Sequence, residues 1–116
     1  MDQNLDEKTT KIATMVIIHA GNARSMVSDA IKAMESNDAE LAKTKLDQAN
    51  NEIRSAHATQ TEVIQDEARG ENMPITLLLT HAQDSLMVAM SEVHMAKYII
   101  KLHERVHQLE KQVNKK

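Results

Sequence analysis

Apolar residues recur at intervals of three and four positions along the first third of the chain, which is the spacing of one helix face. This stripe spans Ile12 to Met34 and predicts a first helix over about residues 9–35. Thr9 or Thr10 would serve as its N-cap, because a threonine hydroxyl accepts hydrogen bonds from the free amides of a first turn. Residues 1–8 are polar and are expected to fray.

A second apolar stripe alternates steps of four and three, as in a coiled-coil seam, and the faces around it are polar. Its members are Ala42, Leu46, Ala49, Ile53, Ala56, Gln60 and Ile64. Asn37, with Glu40 three residues later, is typical of the capping box at a helix start. We therefore predict a second helix over about residues 38–66, with one buried side and one solvated side.

The segment Asp66–Pro74 interrupts the periodicity and is the predicted loop. Gly70 is expected to adopt the left-handed conformation after a helix end, and Pro74 suits the first turn of the next helix. A third helix is predicted over about residues 74–112, and it carries two apolar faces. The first contains Leu79, Ala82, Leu86, Val93, Ala96 and Ile100, and the second contains Leu77, Val88, Met95, Tyr98 and Leu102.

Three long helices with short connections predict an all-α fold, an antiparallel up-down-up three-helix bundle that forms one domain over residues 1–116. The composition also favours an all-α fold, because two Gly and one Pro in 116 residues provide few of the residues that form turns. The second face of the third helix exceeds the apolar surface that two partner helices can cover. We therefore expect a homo-oligomer with this face at the subunit interface.

The remaining composition excludes several classes of function. The chain has no Cys, so it has neither disulfides nor thiolate sites. A net charge of −3 and a single aromatic residue argue against nucleic-acid binding. The sequence lacks an apolar run long enough to span a bilayer, and its N-terminus does not read as a signal peptide. An unexported protein without direct membrane insertion is expected.

Two ionisable residues, His81 and Asp84, interrupt the second face of the third helix. His81 is either a core histidine bonded to a backbone carbonyl, which spacing alone favours, or a nucleophile or base. The polar neighbours Thr80 and Gln83 favour the second interpretation. Asp84 bonds to His81, faces solvent, or meets its own copies at an oligomer axis. At an axis, repulsion between carboxylates predicts protonation or a bound hard cation such as Mg²⁺.

Other histidines have a structural and a functional interpretation. His57 and Gln60 form a polar cluster beside the seam of the second helix. The cluster is either a buried hydrogen-bond network or support for His81 from a neighbouring helix. His103 and His107 are four residues apart, as in helical zinc sites, but no third ligand is evident, and we interpret them as exposed surface histidines.

Three sequence blocks together carry a family resemblance. They are Leu77–Met87 with its core HAQD, Ala20–Ser25 (AGNARS) and Ala56–Ile64 (AHATQTEVI). In this order, and across Ile12–Glu110, the chain resembles the IIA component of the lactose/cellobiose (chitobiose) family of the bacterial sugar phosphotransferase system.

The resemblance implies a cytoplasmic helical phosphocarrier that assembles as a homotrimer. It implies that His81 accepts a phosphoryl group from the histidine phosphocarrier protein and passes it to a cysteine of the cognate IIB component. Gln83, His57, Gln60 and Thr80 are candidates for support of the phosphohistidine. Asp84 would gather around one Mg²⁺ per trimer, on the threefold axis.

One position departs from the family pattern. Family members commonly carry a second histidine where this chain has Ser85. The transported sugar is expected to be a β-linked disaccharide, of the cellobiose or chitobiose type rather than lactose. The competing interpretations are a non-enzymatic helical adaptor and a metal-binding trimer. The adaptor explains the two-faced third helix but leaves the HAQD run without a role.

Overall fold

The computed structural model describes residues 3–71 and 74–115. Its three helices are α1 (Gln3–Glu35), α2 (Ala39–Ala68) and α3 (Leu77–Asn114), and they form a rod with extents of 73 × 20 × 19 Å. The predicted all-α, up-down-up bundle is confirmed. No helix within the described ranges has the length and apolarity needed to cross a bilayer.

The core consists of three layers along the rod, and each layer takes residues from all three helices. Residues from the start of α1, the end of α2 and the start of α3 share the first layer, so α2 runs antiparallel to the other two helices. Representative members are Ile12, Val63 and Leu86 in the first layer, Ala20, Ala49 and Val93 in the second, and Ala30, Ala42 and Ile100 in the third. Small alanines occur in all three layers and allow the helix backbones to approach closely.

The turn between α1 and α2 differs from the prediction. Asn37 has a positive φ of 59° and ends α1, with its N–H donating to Met34 O at 2.8 Å and the next N–H, of Asp38, donating to Ala33 O at 2.9 Å. This pair of bonds is the Schellman pattern of a helix end. The predicted capping box at Asn37 is therefore wrong, and Asp38 caps α2 by accepting from Leu41 N–H at 3.1 Å.

The loop between α2 and α3 follows the prediction in part. Gly70 adopts the expected left-handed conformation, with φ of 89°. Thr76 rather than Pro74 marks the start of α3, because its hydroxyl accepts from Leu79 N–H at 3.0 Å. Residues 72 and 73 of the predicted loop lie outside the described residues.

The start of α1 is helical six residues before the predicted boundary at Thr9. Thr9 is buried inside the helix rather than capping it. The neighbouring Lys8 donates from Nζ to Asp66 Oδ2 of α2 at 2.9 Å, and Arg69 also binds this carboxylate. This ion pair links the start of α1 to the end of α2, and residues 3–8, which were predicted to fray, are helical. Residues 1 and 2 of the predicted frayed segment lie outside the described residues.

Candidate functional site

α3 holds His81 in a fixed, outward-facing position. The Thr76 cap sets the start of the helix, and His81 follows in its second turn. The adjacent Ala82 and, one turn later, Leu86 are each 1% exposed and anchor this part of α3 in the core. His81 itself is exposed. It is therefore not a core histidine, and its imidazole is open to solvent and to partners.

Asp84 lies on the same outer side of α3 as His81 and is also exposed. Both belong to a stripe with alternating steps of four and three residues, which we name the outer seam. Its members are Leu77, His81, Asp84, Val88, Ser91, Met95, Tyr98 and Leu102. The large apolar members remain exposed, from 46% at Val88 to 87% at Leu77. The expectation that one chain leaves this face uncovered is confirmed.

Arg24, in the second sequence block of the resemblance, shows which helix borders one flank of this seam. Its Nε donates to Glu92 Oε2 of α3 at 2.9 Å. Glu92 follows His81 by eleven residues, or about three helical turns, so the two side chains project from nearly the same side of α3. The flank of α3 that carries His81 is therefore the flank that faces α1.

The other flank of α3 borders α2 and contains the polar cluster predicted to support His81. His57 and Gln60 line a cavity of about 130 Å³ together with Met87 and Met90 of α3. Successive helical residues turn by about 100°, so Met90 projects from roughly the opposite side of α3 to His81. Within one chain, His57 and Gln60 are thus not beside the imidazole, and their support of it stays a prediction that needs a second copy.

Two of the residues predicted to support His81, Thr80 and Gln83, belong to α3 itself but differ in exposure. Thr80 is exposed, and its hydroxyl donates to Thr76 O at 3.1 Å, which engages it with the helix backbone. Gln83 is half-buried and projects away from His81, since a step of two residues along a helix is a rotation of about 200°.

Ser85 is half-buried one turn beyond His81 on the same side of α3, so its hydroxyl occupies the position of the family's second histidine.

The described residues of one chain contain no group of three or more His, Asp or Glu placed to hold a metal ion. On the outer seam, Asp84 is the one carboxylate. His103 and His107 are half-buried rather than exposed as predicted, and His103 Nδ1 is buried without a hydrogen-bond partner. His107 lines a cavity beside the α1–α2 turn, together with Asn37. Among the described residues of one chain, no third His, Asp or Glu joins the pair to hold a metal ion.

Comparisons with protein families, relatives and solved structures all point to the same family. A family model described as "PTS system, Lactose/Cellobiose specific IIA subunit" matches residues 11–104. The lichenan-specific phosphotransferase enzyme IIA component of Bacillus subtilis (strain 168) is 47% identical over 102 residues, which cover 88% of this chain and 93% of that protein.

Solved structures agree with the family match. The PTS cellobiose-specific enzyme IIA from Bacillus anthracis superposes with a TM-score of 0.82 at 37% identity, covering 84% of this chain and 90% of that chain. The structure of the IIA(Chitobiose)–HPr complex of the Escherichia coli phosphotransferase system has a TM-score of 0.75 at 32% identity, covering 85% and 96%. This chain therefore belongs to the lactose/cellobiose-specific IIA subunit family of the phosphotransferase system.

Proposed function

We propose that the protein is a phosphocarrier of the bacterial cytoplasm that relays a phosphoryl group through His81. The observation that supports this most directly is the exposed imidazole on a helix anchored by buried Ala82 and Leu86. The donor is the phosphohistidine of the histidine phosphocarrier protein HPr, and the acceptor is a cysteine of the cognate IIB component. HPr binding is proposed because a related IIA(Chitobiose) is known in complex with HPr.

The chemistry requires a neutral imidazole and accurate positioning. A ring nitrogen of His81 attacks the phosphorus in line, a new P–N bond forms, and the P–N bond to the donor histidine breaks. In the second step the IIB thiolate attacks, the P–N bond at His81 breaks, and a P–S bond forms. The transition state is loose, so the protein mainly orients the acceptor and stabilises charge. A histidine on a rigid helix meets the requirement for accurate positioning.

Exposure of His81 also determines how the partners bind. Both must bring their reacting atom to the same imidazole, so HPr and IIB bind one after the other and exclude each other. Met87 and Met90 lie on the other flank of α3, which would border His81 of the next subunit in a trimer, and they suit this use because flexible thioether side chains repack against different surfaces. Met87 is 63% exposed in one chain.

The active assembly that we propose is a homotrimer in which three copies of α3 pack along the outer seam. In a threefold ring, one flank of each α3 faces the opposite flank of the next copy. The flank of His81 in one subunit then meets the flank of Met87, His57 and Gln60 in its neighbour. His57 and Gln60 would thus act on His81 from the adjacent subunit. Thr80 of the same chain, and Gln83 of the adjacent subunit, would complete the polar surroundings.

The same packing brings three copies of Asp84 together. A single chain offers one seam carboxylate, whereas three related carboxylates form a set of oxygen ligands of the kind Mg²⁺ prefers. The residue fits the ion in type, and we propose one Mg²⁺ per trimer on the axis. When bound, the cation would neutralise the repulsion between the carboxylates.

The transported substrate is proposed to be a β-linked disaccharide, of the cellobiose or chitobiose type rather than lactose. Support comes from the HAQD run and from similarity to lichenan- and cellobiose-specific relatives. The sugar itself would bind the membrane IIC component, so this chain contributes through its choice of IIB.

Intact-mass measurement after incubation with phosphoenolpyruvate, enzyme I and HPr tests the proposal. We expect one phosphoryl group per wild-type chain and none on His81→Ala, with unchanged helix content. His94→Ala is the matched control, because His94 is an exposed histidine of the same helix and should leave phosphorylation intact. Phosphorylation of His81→Ala would refute the assignment, and an unphosphorylated wild type would favour the helical adaptor.

A further inference from the structure

A phosphoryl group on His81 would need hydrogen-bond donors beside it. The group brings three acceptor oxygens and about two negative charges to the surface of α3. An N–H or O–H that donates to such a charged oxygen makes a stronger hydrogen bond than one between neutral groups. The side chains within one helical turn of His81 are the nearest candidates for these donors.

Most polar side chains in this turn do not offer a free proton to the outer side of the helix. Thr80 already donates to Thr76 O at 3.1 Å. Asp84, when ionised, only accepts hydrogen bonds and has the same sign of charge as a phosphoryl group. Gln83 projects from the opposite side of α3 to the imidazole. Among the described residues of this turn in one chain, the hydroxyl of Ser85 is the side-chain donor that remains.

Ser85 is well placed to reach a phosphoryl group on His81. It follows His81 by four residues, so their Cβ atoms lie about 5–6 Å apart on one side of the helix. The Cα–Cβ bonds of a helix tilt toward its N-terminus, so the Ser85 hydroxyl leans toward the turn that carries His81. A phosphoryl oxygen bound to the imidazole is therefore a natural acceptor for this hydroxyl.

The helix backbone does not engage the Ser85 hydroxyl. Within the described helices, other hydroxyls donate to the carbonyl oxygen four residues earlier, at 2.8–3.2 Å. They belong to Thr14, Ser55, Thr59, Thr61 and Thr80. Over residues 74–115, which the structure describes, Ser85 makes no such bond to His81 O. Its proton is therefore available to a group that arrives at His81.

The surroundings of Ser85 on α1 are apolar. Ser85 precedes Glu92 by seven residues, so both project toward α1, where Glu92 binds Arg24 at 2.9 Å. α1 and α3 run parallel, and seven residues before Arg24 lies Ile17, which is half-buried against the first core layer. The Ile17 side chain offers no acceptor that would compete for the hydroxyl. Partial burial of Ser85 also strengthens a hydrogen bond that it makes, because fewer waters screen it.

We propose that the Ser85 hydroxyl donates a hydrogen bond to a phosphoryl oxygen on His81 and thereby stabilises the phosphohistidine. The inference rests on the proposed phosphocarrier function and adds a phosphoryl-binding residue to it. During transfer the P–N bond to the histidine of HPr breaks and the P–N bond to His81 forms, while Ser85 keeps its proton. The bond exists only after His81 is phosphorylated, so it shifts the equilibrium of transfer toward this chain. The role is particular to this sequence, since the family pattern commonly has histidine at this position.

The equilibrium constant for phosphoryl transfer from HPr to this chain tests the inference. It is measured by intact mass of both proteins at several mixing ratios. Ser85→Ala should lower this constant by roughly tenfold, because a hydrogen bond to a charged oxygen is lost. Ser85→Thr keeps the hydroxyl and should stay close to wild type. Ser91→Ala is the matched control, because Ser91 is an exposed serine of the outer seam almost three turns from His81, and it should leave the constant unchanged.

The outcomes separate this role from the proposed function. Helix content, measured by circular dichroism, should be the same in all four proteins, so that a change in the constant is not a loss of fold. An unchanged constant for Ser85→Ala would overturn the role of Ser85 and leave the phosphocarrier function standing. Equal losses for Ser85→Ala and Ser85→Thr would exclude the hydroxyl as the cause. A wild type that takes up no phosphoryl group would overturn both proposals.

Discussion

Lys8 donates from Nζ to Asp66 Oδ2 at 2.9 Å, which ties the first turns of α1 to the last turn of α2. Asp66 is 3% exposed, and its carboxylate also binds Arg69. The hydrogen bond from Lys8 holds the pKa of Asp66 below its ordinary value, the opposing effect of burial is smaller, and Arg69 adds to the lowering. The ionised form of Asp66 therefore stabilises this end of the bundle.

Asp66→Asn should lower the free energy of unfolding at neutral pH. Because the folded pKa lies below the unfolded value of about 3.9, the stabilisation is fully present above roughly pH 5 and is lost as the pH falls through the folded pKa. Urea denaturation of both proteins across this range measures the difference. The two curves should converge in acid, and a constant difference down to the lowest pH would contradict the role of the charge.

Leu86→Ala should reduce the free energy of unfolding by about 2–5 kcal/mol, because it removes a buried side chain and leaves a cavity. Leu86 is 1% exposed, whereas the adjacent Met87 is 63% exposed. Met87→Ala is therefore the matched control and should cost less than about 1 kcal/mol. Urea denaturation at one fixed protein concentration allows the comparison. Equal losses for the two variants would argue against the anchoring of α3 by Leu86.

Asp84→Leu should retain or tighten the trimer, since it replaces three repelling carboxylates with apolar side chains. The same change should abolish bound Mg²⁺. Sedimentation with and without a chelator, together with metal analysis, measures both effects. Chelation should loosen the wild-type trimer and leave Asp84→Leu unaffected. Stoichiometric Mg²⁺ in Asp84→Leu would place the metal elsewhere.

Complementation between subunits tests whether His57 acts on His81 of a neighbour. His57→Ala alone should slow phosphoryl transfer from HPr, and His81→Ala should abolish it. Trimers mixed from both variants contain sites in which an intact His81 meets an intact His57, so the rate should partly recover. Mixing His57→Ala with a His57→Ala/His81→Ala chain is the control and should give no recovery. Recovery in this control would exclude the action of His57 between subunits.

The sequence by itself determined the helices, most of the buried stripe of each helix and the uncovered seam of α3, because the helical period translates spacing directly into faces. At the end of α2 it was wrong, since Val63 is buried and the predicted Ile64 is 57% exposed. The HAQD run also indicated His81 as the candidate functional residue. Sequence reasoning placed the start of α1 too late and interpreted Asn37 as a cap of α2. Both errors concern helix ends, where single hydrogen bonds decide the boundary.

Only the tertiary structure decided which distant residues meet. Lys8 and Asp66 are 58 positions apart, and Arg24 and Glu92 are 68 apart, so no local pattern pairs them. Periodicity also could not predict which flank of α3 His57 borders. It assigns a residue to a face of its own helix but not to a side of the neighbouring helix. These relationships follow from how three helices pack around one core, and that packing depends on the whole chain at once.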